Sequence, residues 1–145
     1  MKKNQSKIIR EQAPRSATRE HSVPLYLTSS FIFDSAEQGR AIFAEEEEGM
    51  VYSRYANPNT TEFIDRVCTL EKAEAGLAFS SGMAAVFASF AAFIESGDHI
   101  VSSRAIFGST HQLLTQLFPR WGVTHSYVDT ANIEDWENAI QPNTK

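Results

Sequence analysis

Apolar residues recur at helical spacing in several stretches of this 145-residue chain, with short apolar runs between them. Ser35 opens a capping-box pattern with Gln38 at the third helical position, and Ile42 and Phe43 supply an apolar face. This predicts a first helix from Ser35 that Gly49 closes. Phe63, Ile64, Val67 and Leu70 repeat the pattern after Pro58, a residue suited to the first turn, and Gly76 offers the stop. Residues 77–80 read as a short buried strand. Residues 82–95 read as an apolar helix ended by Gly97, with Ala84, Ala85, Ala88, Ala91 and Ala92 allowing close packing on a sheet. A second strand follows over 99–102, then a helix over 109–120 with Leu113, Leu114, Leu117 and Phe118 as its apolar face. The pattern ends with a third strand over 123–128 and a last helix over 133–140, capped by Thr130 or Asn132. Strand and helix alternating through short connections imply right-handed βαβ units and a parallel sheet, an α/β fold. Residues 143–145 fall where the alternation predicts a further strand.

The turn at Ser80, Ser81, Gly82 and Met83 joins a predicted strand to a predicted helix. Backbone N–H groups at such a helix start have no intrahelical partner, and the helix dipole adds positive potential. Together they favour an anion, most often a phosphate, and glycine allows close backbone approach. A purely structural turn is the competing reading, since the Ser-Ser-Gly pattern alone is common in α/β loops.

Composition narrows the field. The chain is 42% hydrophobic and 21% charged, ordinary for a globular protein. No apolar run approaches the ~18 residues that suggest a membrane span. A net charge of −5 argues against a nucleic-acid partner. Charge is uneven: six basic residues against Glu11 and Glu20 give residues 1–20 a charge of +4, leaving −9 for the rest. That basic start lacks the apolar core of a secretion signal, and residues 1–22 read as a mobile polar arm. Cys68 is the single cysteine, so no internal disulfide forms; this fits a reducing, cytoplasmic setting. Cys68 sits in a helical pattern beside Val67 and reads as a packed or half-buried thiol. Glu45, Glu46, Glu47 and Glu48 read as a solvated helix end, and the four histidines show no metal-ligand spacing. His99 reads as part of a structural turn at a strand start.

Other motifs share the order of the Ser-Ser-Gly turn. Tyr52, Ser53 and Arg54 precede Asn57 and Pro58; then come Ser80, Ser81, Gly82 and Met83; then Gly97, Asp98 and His99; then Phe107, Gly108, Ser109 and Thr110. In order and spacing the chain resembles, from about Pro24 to its last residue, the cysteine/methionine-metabolism family of pyridoxal-phosphate enzymes. That family includes cystathionine synthases and lyases, methionine lyase and the homoserine sulfhydrylases.

The resemblance implies an N-terminal part of a fold type I, aspartate-aminotransferase-like large domain, with a parallel-rich sheet and flanking helices. It implies three stretches: the arm at 1–22, a segment at 23–57 reaching a neighbouring subunit, and an incomplete cofactor-binding domain at 58–145. The cofactor would be pyridoxal 5'-phosphate. Gly82 and Met83 would give backbone N–H groups to its phosphate. Tyr52 and Arg54 would reach the phosphate of the neighbouring subunit's cofactor, in a homo-oligomer built as a dimer of dimers. A surface ion pair is the alternative for Arg54. Phe107 would stack on the cofactor ring, where most lyases and synthases of the family carry tyrosine; a core phenylalanine is the alternative. The Phe-Gly-Ser-Thr form resembles the branch that joins O-succinylhomoserine, an O-acylhomoserine, to sulfide, giving homocysteine and succinate. Cystathionine γ-synthase and the methionine or cystathionine γ-lyases are alternatives within the family, and a non-catalytic fragment is the alternative outside it. The family's cofactor-bonding lysine is expected downstream of residue 145, since Lys72 and Lys145 are not in its motif; the 145 residues alone are expected to be inactive.

Overall fold

The computed structural model describes residue 9 and residues 15–129 and 131–145. Most of the basic arm and Thr130, one of the two suggested caps, lie outside the described residues. The chain divides into two units, Met1–Ala78 and Phe79–Lys145.

In the first unit, helix α1 spans Ala36–Phe43 and starts at the expected cap. Ser35 Oγ accepts from the Gln38 amide at 3.1 Å, while Gln38 Oε1 reaches one residue past the usual box to the Asp34 amide at 2.7 Å. Gly49 does not close this helix. Ala44 caps it, and Glu45 turns the chain with φ 58°. Arg40 then bonds both Glu37 and Glu46, so the acidic run begins past the helix end. Gly49 instead lies against Ile42, with no room for a Cβ. Helix α2 spans Pro58–Glu71, capped by Asn57, whose Oδ1 accepts from the Asn59 amide at 3.0 Å. Lys72, with φ 58°, ends it four residues before the expected Gly76. Gly76 packs against Cys68 and Ile64 of that helix, and Cys68 is half-buried as expected.

The second unit holds the sheet. Strands β1 (His99–Ser103) and β2 (Thr124–Val128) pair in parallel, with His99 opposite Thr124 and Ser103 opposite Val128. On the other side of β1, Thr144 forms a parallel bridge with His99, where the alternation predicts a further strand. Residues 77–80 are not the expected buried strand: β1 is flanked by β2 and Thr144, and this segment pairs with neither and is exposed.

Helix α3 (Gly82–Ala91) begins where expected but stops short of residue 95. Phe93 and Ile94 both bond the Phe90 carbonyl, tightening the last turn, and Asp98 accepts from the Glu95 amide at 2.7 Å. The helix expected over 109–120 changes pitch. It starts as α4 (Gly108–Gln112), widens into a π-helical turn over Leu113–Leu117 and tightens to a 3₁₀ turn over Phe118–Trp121, ended by Gly122 with φ 77°. Helix α5 spans Ile133–Ala139, capped by Asn132. Ile100, Leu114, Phe118 and Val123 form the core, with Phe87, Phe90 and Ile94 packed around them. No helix among the described residues is long and apolar enough to cross a membrane.

Candidate cofactor site

Tyr52, Ser53 and Arg54 form a turn in the first unit, closed by the Tyr55 and Ala56 amides on the Tyr52 carbonyl at 2.9 and 3.1 Å. The preceding segment laces onto it. Phe31 donates to Val51 at 3.2 Å, Ser53 donates to Ser29 at 2.8 Å, and Ser30 bridges Tyr52 in antiparallel fashion. The Arg54 guanidinium lies 4.8 Å from the centre of the Tyr52 ring and 5.4 Å from that of Tyr55. Arg54 is exposed and joins no ion pair among the described residues, which disfavours the surface-pair alternative.

In the second unit, Gly82 and Met83 occupy the first turn of α3. Ser81 caps the helix, its Oγ accepting from the Ala84 amide at 3.2 Å. Among the described residues, the Gly82 and Met83 amides make no hydrogen bond. A Cβ added at Gly82 would meet nothing within 4 Å, so the backbone is open to a ligand there. Phe107 sits at the cap of α4 with 71% of its surface exposed, so it is no core residue. Helices α3 and α4 pack against each other, and the three residues stand at the starts of these two helices.

Within the second unit, the unpaired Gly82 and Met83 amides suit phosphate oxygens and the uncovered Phe107 ring offers a stacking face, which together fit a phosphate-bearing aromatic cofactor. Within the first unit, the exposed Arg54 guanidinium by itself suits phosphate oxygens.

The sequence reading missed two polar clusters. His99 stands at the strand start as expected, but its buried ring also makes two bonds: Nδ1 meets Thr144 Oγ1 and Nε2 meets Ser126 Oγ, both at 2.9 Å. It ties the start of β1 to the middle of β2 and to the bridging Thr144 through two hydroxyls, a role that no local pattern signals. One turn after Phe107, His111 Nδ1 meets the Tyr127 hydroxyl at 2.7 Å with the two rings stacked. Burial pushes the Tyr127 phenol up, partly offset by Arg104. Burial, followed by the nearby His111 and His99, pushes the His125 imidazole down. No group of three or more His, Cys, Asp or Glu side chains among the described residues could hold a metal ion.

An L-methionine gamma-lyase from Fusobacterium nucleatum is 44% identical over 124 residues, 86% of this chain and 31% of that protein. An O-succinylhomoserine sulfhydrylase from Pseudomonas aeruginosa is 41% identical over 137 residues, 94% of this chain and 34% of that protein. The chain thus spans about a third of the length of these relatives. A Campylobacter jejuni protein described as an O-acetylhomoserine (thiol)-lyase superposes with a TM-score of 0.90 at 28% identity, over 98% of this chain and 35% of that one. Its structure contains pyridoxal phosphate joined to lysine, as N'-pyridoxyl-lysine-5'-monophosphate. Cystathionine gamma-lyase from Lactobacillus plantarum superposes with a TM-score of 0.84 at 33% identity, over 99% of this chain and 35% of that one. The model of the Cys/Met metabolism PLP-dependent enzymes matches residues 5–145, and the chain belongs to that family.

Proposed function

We propose that this chain is the cofactor-binding N-terminal portion of a sulfhydrylase that joins O-succinylhomoserine to sulfide, releasing homocysteine and succinate. The observation that carries this reading is Phe107, an exposed ring without a hydroxyl at the start of α4, in the sequence Phe-Gly-Ser-Thr. Bound pyridoxal phosphate supplies an electron sink for removing protons from the substrate's Cα and Cβ. The residues here bind and orient. The Gly82 and Met83 amides hold the phosphate, and Phe107 stacks on the ring. Having no hydroxyl, Phe107 leaves proton transfer to other groups. Tyr52 and Arg54, in the segment 23–57, reach the phosphate of a neighbouring subunit. This requires at least a second copy of the chain, and the proposed assembly is a dimer of dimers in the cytoplasm. The cofactor-bonding lysine belongs to the part of the relatives' length that this chain does not span.

A second reading, L-methionine gamma-lyase, is favoured by the 44% identity to the Fusobacterium enzyme. One assay separates the two. The protein that carries this segment at its relatives' length, hereafter the full-length protein, is loaded with pyridoxal phosphate. It is then given O-succinylhomoserine with sulfide, or L-methionine alone. The expected outcome is homocysteine from the first and little methanethiol from the second. Methanethiol release as the dominant reaction would establish the lyase instead.

A further inference from the structure

Asn57 is one of two buried residues among those described in the first unit; the other is Gly39. Its side chain makes three hydrogen bonds, with both amide hydrogens used. One Nδ2 hydrogen goes to the Tyr26 carbonyl at 3.1 Å and the other to Ser53 Oγ at 3.0 Å, while Oδ1 caps α2 at the Asn59 amide. Ser53 Oγ in turn donates to the Thr28 carbonyl at 2.5 Å. Asn59 completes the lacing, accepting from the Tyr26 amide at 2.8 Å and donating to the Pro24 carbonyl at 2.8 Å. Ser53 lies between Tyr52 and Arg54, so Asn57 ties the centre of that turn to the start of a 14-residue helix and to the segment before it.

We propose that Asn57 is a positioning residue for phosphate recognition: through Ser53 it fixes the turn that presents Tyr52 and Arg54. The inference rests on the proposed phosphate role of those two side chains and extends it to a residue that touches no ligand. The physical reason is preorganisation. Arg54 is exposed and, among the described residues, its guanidinium meets only the faces of two tyrosine rings, so its aim depends on the backbone of its turn. Main-chain bonds close that turn and pair it with residues 29–31, and the Asn57 and Ser53 side chains add the tie to α2 and to residues 26–28, in a unit that buries little apolar surface among its described residues.

The discriminating variant is Asn57→Asp. A carboxylate still caps α2 at the Asn59 amide but cannot donate to Tyr26 or Ser53, so the helix start survives and the tie to the turn is lost. Equilibrium binding of pyridoxal phosphate and of phosphate-free pyridoxal to the full-length apoprotein is compared. The expected result is about tenfold weaker binding of pyridoxal phosphate, the order of one lost buried hydrogen bond, with pyridoxal binding unchanged. Unchanged binding of both, or equal weakening of both, overturns the proposal, because a merely structural defect would not single out the phosphate. Ser53→Ala is read by the same comparison if Asn57→Asp does not fold. Arg54→Ala is the control for the underlying reading. If it leaves pyridoxal phosphate binding intact, the phosphate role of the turn fails; if it weakens binding while Asn57→Asp does not, only the positioning role fails.

Discussion

At the scale of single residues, exposure separates the readings of Phe107. A core phenylalanine would be covered, yet this ring is 71% exposed and its residue serves only as the backbone cap of α4. Truncating it opens no cavity, so its cost falls on whatever the ring would stack on. In the full-length protein, Phe107→Ala is expected to weaken pyridoxal phosphate binding by about 1 kcal/mol, the order of one aromatic contact, and to leave the melting temperature nearly unchanged. Phe107→Tyr keeps the stacking face and is expected to retain the cofactor. Cofactor titrations of the three proteins decide this; equal affinity for wild type and the alanine variant would remove Phe107 from the site.

At the scale of elements, β2 carries a histidine whose environment opposes its charge. Burial and two neighbouring histidines hold His125 below its ordinary value near 6.5. The unfolded chain therefore takes up a proton there before the native chain does. Its contribution to stability is full above about pH 6.5 and is lost as pH falls toward the depressed native value. The melting temperature is expected to drop between about pH 7.5 and pH 5.5, and His125→Gln should flatten part of that slope. An identical slope in the variant would show that other groups carry it. Legibility in the sequence follows the same scale. Helix starts were readable because each is a local event: Ser35, Asn57, Ser81 and Asn132 each accept an amide two or three residues on. The ends of α1 and α2 were not, because Glu45 and Lys72 turn the chain at positive φ before the glycines that were expected to stop them, and α3 stops at Ala91, short of residue 95. Residues 77–80 look like a strand by apolarity, but strand pairing is not local and β1 has no free side for them. Motif order singles out the turn before α3, Arg54 and Phe107 as candidates; it does not signal the lacing around Asn57 or the bonds of the buried His99, since their partners lie tens of residues away.

At the scale of the whole molecule, the main feature is apolar surface left uncovered. On α2, Phe63, Val67 and Leu70 recur at helical spacing, yet they are 59%, 39% and 46% exposed. Leu27, Ile32 and Leu77 are more than four-fifths exposed. An amphipathic face of this kind normally lies against another element, and water contact costs roughly 25 cal/mol per Å² of apolar area. The sheet adds to the problem, since β2 pairs on one side only among the described residues and offers an open row of backbone groups. The 145-residue polypeptide by itself is therefore expected to associate as concentration rises and to bind an apolar dye. Light scattering across a dilution series and dye fluorescence test this. Substituting Phe63, Val67 and Leu70 together by polar helix formers such as Gln should reduce both signals while preserving helical circular dichroism, because these side chains support little of the unit's own packing. A monomer at all concentrations with no dye binding would mean that these faces are covered within the chain itself.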